Sequence, residues 1–126
     1  MKNLLNHNSP TLKKIQSLAM MKQYELPGNS DKDTVVIGTS GGIDSTGLAI
    51  IICTLFPERN ISLIFTDTGC ETPGTLESLD RLESFIDKKI IRLQEENIYS
   101  LIKHYNGFLP AQKSRWCTHL TKIVPF

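Results

Sequence analysis

A chain of 126 residues with 40% apolar and 21% charged residues is one domain's worth of sequence, and it fits neither disordered, collagen-like nor disulfide-scaffold classes. A formal charge of only +1 disfavours a protein held to duplex nucleic acid by its overall charge. Three scattered cysteines, Cys53, Cys70 and Cys117, give no C-x-x-C pair, so neither zinc nor an iron–sulfur cluster is expected.

The charge is unevenly spread. Residues 67–102 hold eight acids against four bases, whereas 103–126 hold Lys103, Lys113, Arg115 and Lys122 with no acid. Such a basic block suits either a nucleic-acid backbone or an anionic small molecule, and the balanced total favours the small molecule. No apolar run approaches the roughly 18 residues of a membrane span. Met1–Gln23 has neither the apolar stretch nor the cleavage site of a secretory signal, so a cytoplasmic protein without a membrane partner is expected.

Residues 1–30 read as a helical extension, opened by Ser9 as cap and Pro10 in the first turn, carried by Leu12, Ile15, Leu18, Ala19 and Met21, and stopped at Leu26-Pro27-Gly28-Asn29. Residues 31–126 read as a nucleotide-binding domain. Thr34–Ile37 is a β-branched run without alternation, which predicts a strand buried on both faces. After a glycine turn, Ile43–Phe56 is apolar nearly all round and ends at Pro57, which predicts a buried helix. Ile61–Thr66 is a second strand. Thr72 and Pro73 then open an amphipathic helix with Leu76, Leu79, Leu82, Phe85 and Ile86 on one stripe. Lys89–Leu93 is a third strand, Ile98–Tyr105 a short helix, and Trp116–Lys122 a last helical stretch. Strands alternating with helices imply right-handed β-α-β units on a parallel sheet.

Ser40-Gly41-Gly42-Ile43-Asp44-Ser45-Thr46 lies where the first strand turns into a helix. Adjacent glycines allow close backbone approach, the first N–H groups of a helix attract an anion, and Thr39, Ser40, Ser45 and Thr46 add hydroxyls, so a phosphate cradle is the natural reading. Five fixed residues in this order arise by chance in on the order of one window in a million at average residue usage. The lysine of the Walker pattern is absent and Asp44 stands near its place, so Mg²⁺ between Asp44 and a triphosphate is implied. Asp67, Thr68 and Gly69 leave the carboxyl end of the second strand, where open α/β sheets bind ligands. Lys113 and Arg115 are candidates for a second anion.

Ser40-Gly41-Gly42-Ile43-Asp44-Ser45 resembles the PP-loop of the ATP pyrophosphatase superfamily. Two further segments, Phe65-Thr66-Asp67-Thr68-Gly69-x-Glu71-x-Pro73 and Arg115-Trp116-Cys117-Thr118 with Lys122-x-x-Pro125, are similar to the phosphoadenosine phosphosulfate reductase family, which includes the small subunit of ATP sulfurylase and DNA-phosphorothioation proteins. Leu120 stands one place early for that pattern. The resemblance implies a three-layer, Rossmann-like α/β fold that binds ATP or a related adenine nucleotide and adenylates a substrate by splitting the α–β phosphate bond, or acts on a sulfonucleotide. Asp44 and Ser45 would then carry catalysis. Family members add further strands beyond the third motif, so only part of the sheet is expected, with Thr34–Ile37 at its edge. Such an edge predicts a homodimer or cover by the N-terminal helix.

Two other readings compete. One is a nucleotide-binding or sequestering module without chemistry. The other takes Gly38-Thr39-Ser40-Gly41-Gly42 as a nucleophile elbow, with Ser40 served by His104 or His119, and leaves both downstream motifs unexplained. Otherwise His104 and His119 read as surface or packing residues, Cys117 as a packed thiol and Cys53 as core.

Overall fold

The computed structural model describes residues 9–22, 25–28 and 32–126. In chain order the elements are α1 (Pro10–Lys22), β1 (Thr34–Gly38), α2 (Ile43–Leu55), β2 (Asn60–Thr66), α3 (Pro73–Ile86), β3 (Ile90–Leu93), α4 (Ile98–His104) and α5 (Trp116–Thr118), which runs on into a π-helical turn at His119–Ile123. The last helical stretch is thus one α-turn followed by a wider one. Its Thr121 is 2% exposed and returns its hydroxyl to the Cys117 carbonyl at 2.7 Å. In the N-terminal helix the side chains of Leu18, Ala19 and Met21 lie outside the described residues, as does the turn residue Asn29.

The three strands form one parallel sheet in the order β1-β2-β3, with Ile37 opposite Leu63 and Ile64 opposite Ile91. Two right-handed crossovers stepping in the same direction put α2 and α3 on the same face. The core lies there, where Ile37, Ile61, Leu63, Phe65 and Ile90 meet Ala49 and Cys53 of α2 and Leu79, Leu82 and Ile86 of α3. Cys53 is 6% exposed, and burial pushes its thiol pKa up, with Lys88 pulling weakly the other way. The core assignment of Cys53 and the α3 stripe are as the sequence predicts. Thr72 caps α3, accepting from the Thr75 N–H at 3.2 Å, with Pro73 in the first turn.

Two expectations need correction. β1 is not buried on both faces: Val35 and Ile37 face the core, but Val36 on the opposite face is 48% exposed, as is Ile91 of β3 at 49%. Nor is α2 buried all round, since Ile43, Leu48 and Ile51 stand in solvent while Ala49, Cys53 and Thr54 are inside. An apolar run is buried only where a layer faces it, and α1, which packs against α2, covers only part of this helix. Among the described residues β1 has a single strand neighbour, β2, and so forms an edge, as anticipated. The third strand starts at Ile90, one residue after the predicted Lys89, and Glu83 Oε1 accepts the Ile90 N–H at 2.7 Å where it begins.

At the amino end of the sheet, Arg59 is 7% exposed and donates to the carbonyls of Pro27 at 2.9 Å and Gly28 at 3.4 Å. It thereby holds the segment leading into β1 against the α2–β2 turn. No described helix is long and apolar enough to cross a membrane.

Candidate functional site

The carboxyl ends of β1 and β2 carry the glycine loop and the second loop side by side. Thr39 extends the sheet beyond β1, its N–H donating to Ile64 O at 2.7 Å and its hydroxyl to the same carbonyl at 3.1 Å. Its hydroxyl is therefore committed, and the side chain is 4% exposed. Ser45 folds the loop back on itself: its Oγ accepts the Ser40 N–H at 3.1 Å, lies 3.1 Å from Ser40 Oγ and donates to Gly42 O at 3.2 Å. The partners of Ser40 Oγ are Ser45 and, at 3.4 Å, the Gly42 N–H. The serine is engaged inside the loop, which leaves the nucleophile-elbow reading without a histidine at its hydroxyl.

The two glycines differ in why they are glycines. Gly41 has φ +75°, and a Cβ there would lie 2.9 Å from Thr75 Cγ2 and 3.1 Å from Thr75 O. Helix α3 presses on the loop at this point, and Ser78 Oγ donates to Gly41 O at 3.1 Å. Gly42 has an ordinary φ of −79°, and a Cβ there would meet only Ser40 Oγ, at 3.4 Å. The fold accounts for the first glycine and not for the second.

Gly42 is the N-cap of α2 and makes no side-chain cap bond. The opening N–H groups of this 13-residue helix have no intrahelical acceptor, and with the helix dipole they favour an anion in front of them. Asp44 is exposed in that first turn, and Thr46 is half-buried. Among the described residues no three His, Cys, Asp or Glu side chains cluster as a metal cage. Mg²⁺ is commonly held by one or two carboxylates plus the phosphates of its substrate, so a lone Asp44 fits that ion but not one caged wholly by protein.

In the second loop Asp67 continues the sheet through its N–H to Leu93 O at 2.7 Å, and its Oδ1 accepts the Gly69 N–H at 2.7 Å. Thr68 is 9% exposed and donates to Glu71 Oε1 at 2.8 Å. Ile98 N–H donates to Thr68 O at 3.0 Å, and Asn97, the cap of α4, packs against Gly69. Much of the bonding capacity of Asp67 and Thr68 therefore goes into shaping their own turn.

A cavity of about 210 Å³ opens between these loops. Its floor is the strand ends from Gly38 to Ser40 and Ile64 to Thr66, and its walls carry Glu71, Lys122 and Phe126. Lys122 and Phe126 come from the turn after α5, with the Phe126 ring 3.6 Å from where a Cβ on Gly38 would sit. Because Gly38 alternates with Ile37, this places the C-terminal segment on the sheet face opposite the core, over the carboxyl end of the strands. Lys113 and Arg115 are exposed and do not line the cavity. Glu71, Lys122 and Phe126 were not singled out from sequence as site residues. The signal for two of them was present in the Gly69-x-Glu71 and Lys122-x-x-Pro125 spacings, whereas nothing local marks Phe126.

A parallel sheet bearing a glycine loop at the carboxyl end of its first strand, with a second loop beside it, defines the Rossmann-like α/β class. Residues 34–126 match the phosphoadenosine phosphosulfate reductase domain, and the chain belongs to that family. That family is part of the PP-loop superfamily, and the fold is of the adenine nucleotide alpha-hydrolase-like type. Two proteins of Methanocaldococcus jannaschii, both described only as uncharacterized, are similar: one is 38% identical over 95 residues, covering 75% of this chain and 19% of its own length. The other is 24% identical over 126 residues, covering 96% of this chain and 29% of itself. Among solved structures, an NH3-dependent NAD synthetase from Campylobacter jejuni in complex with nitrate matches with a TM-score of 0.52 at 20% identity, over 90% of this chain and 44% of that one. At that identity the likeness is one of fold. The chain spans less than a third of the length of either archaeal relative and under half of the synthetase.

Proposed function

We propose that the chain binds an adenine nucleotide, with the pyrophosphate on the Ser40–Thr46 loop and part of the nucleotide in the cavity beside it. The observation that carries this reading is Gly42. Its backbone is one any residue adopts and a Cβ would find room, so the missing side chain is explained by a ligand that approaches the backbone there. The cavity of about 210 Å³ is smaller than the roughly 300–1,000 Å³ of a complete small-molecule site, consistent with phosphates lying outside it over α2.

In this reading the loop N–H groups and the start of α2 receive the β- and γ-phosphates, and Lys122 adds a positive charge at the cavity wall. Asp44 would hold Mg²⁺, which would supply charge neutralisation at the phosphates. Ser45 fixes the loop's shape rather than attacking, since its hydroxyl already bonds Ser40 and Gly42. With ATP, a nucleophile on an acceptor would attack the α-phosphorus, and the bond to the bridging oxygen would break, releasing pyrophosphate. In that step the loop would stabilise the leaving group.

Native mass spectrometry with ATP and Mg²⁺ tests the reading. A nucleotide-sized mass increase in the parent chain that disappears in Gly42→Val, with thermal stability retained, is the expected result. No increase with ATP, adenosine phosphosulfate or its 3′-phosphorylated form would overturn it.

A further inference from the structure

From Asn97 to Phe126 the chain has no acidic residue, while Lys103, Lys113, Arg115 and Lys122 supply four cations. Both ends of this segment abut the candidate site. At one end Ile98 bonds Thr68 and Asn97 packs on Gly69, and at the other Lys122 and Phe126 wall the cavity. Between them the chain exposes both cations and rings. Lys103, Lys113 and Arg115 are exposed. Tyr105 is 38% exposed and backed by Trp116, with ring centroids 4.8 Å apart and planes inclined by 32°. His104 meets the same tyrosine edge-on at 5.2 Å. Phe108, at 58% exposure, stands on the turn that follows, where Asn106 and Gly107 have φ of 52° and 79°.

We propose that this surface binds single-stranded nucleic acid beside the nucleotide site. Cations spaced along a path follow a phosphate backbone, and exposed rings give unpaired bases a stacking platform. A ring braced from behind by another is ordered before the base arrives, which lowers the entropic cost of stacking on it. A duplex hides the faces of its bases and would use only the cations. Binding of the strand does not rest on the adenine-nucleotide reading.

Fluorescence anisotropy with end-labelled oligothymidylate and oligouridylate tests the proposal, using the same oligomers annealed to their complements and polyglutamate as competitors. Binding should weaken with salt at a log–log slope of about −2, as expected for three phosphates neutralised on a single strand. Phe108→Ala should weaken it about tenfold without changing that slope. Replacing Lys113 and Arg115 together by Ala should flatten the slope by more than one. Gly42→Val should bind the strand like the parent chain while losing ATP, which separates this proposal from the reading of the nucleotide site. No binding at low salt, equal competition by duplex or polyglutamate, or affinities unmoved by the Phe108 and Lys113/Arg115 substitutions would overturn it.

Discussion

Gly41 and Gly42 are neighbours with opposite reasons for lacking a side chain, and each reason makes its own prediction. At Gly41 an alanine meets both a left-handed backbone and the Thr75 carbonyl at 3.1 Å, so α3 or the loop must shift. Strain of this kind costs roughly 1–3 kcal/mol. Urea denaturation of Gly41→Ala should show a loss in that range, against a smaller one of about 0.5–1 kcal/mol for Gly42→Ala, which only puts a poorer residue at the N-cap of α2. Equal losses at both positions would mean that the loop's shape depends on Gly42 as well, and the case for a ligand there would lose its footing. Ser45 illustrates how a motif letter can serve shape first. Its hydroxyl ties Ser40 N to Gly42 O across the turn, and the resulting loop presents the α2 N–H groups outward.

At the scale of elements, what was readable from sequence was whatever is decided locally. The cap at Thr72, the Pro73 start, the α3 stripe and the three strands each follow from residues within a few positions of one another. The glycine loop was readable for the same reason, since its letters are contiguous. Phe126 at the cavity and Ser78 on Gly41 were not, because they arrive from elements about 88 and 37 positions away and only the assembled sheet brings them in. The α2 run misled for a related reason: periodicity reports what a helix can bury, whereas Ile43, Leu48 and Ile51 remain exposed unless a layer faces them. Helix α3 joins the two scales, because its cap fixes the turn whose Thr75 and Ser78 press on the glycine loop. Thr72→Ala removes the oxygen that accepts the Thr75 N–H and should cost about 1 kcal/mol of stability. Thr72→Ser keeps that acceptor and should restore most of it. If the serine variant were as unstable as the alanine one, the threonine methyl rather than the cap would be responsible.

At the scale of the molecule, the sheet is finished on one side and open on the other. Its core face is covered by α2 and α3, while among the described residues the opposite face is covered near the strand ends, where Lys122 and Phe126 lie, and Val36 and Ile91 are about half exposed. β1 adds an edge whose residues, Thr34-Val35-Val36-Ile37-Gly38, include no charge and no proline to discourage pairing. The N-terminal helix, one of the two covers anticipated from sequence, packs on α2. The other, a second copy, then becomes the testable expectation: sedimentation velocity over a concentration series should show reversible association. Val36→Lys places an ammonium where the open face meets the edge and should shift the chain toward monomer, whereas Val36→Thr keeps the shape and the β-branch and should shift it less. Both variants should keep the parent's nucleotide binding, because Val36 points away from the core and does not line the cavity. A parent chain that sediments as a single monomer at all concentrations would show that an uncharged edge and a half-open face are tolerated in solution, and the dimer would be excluded.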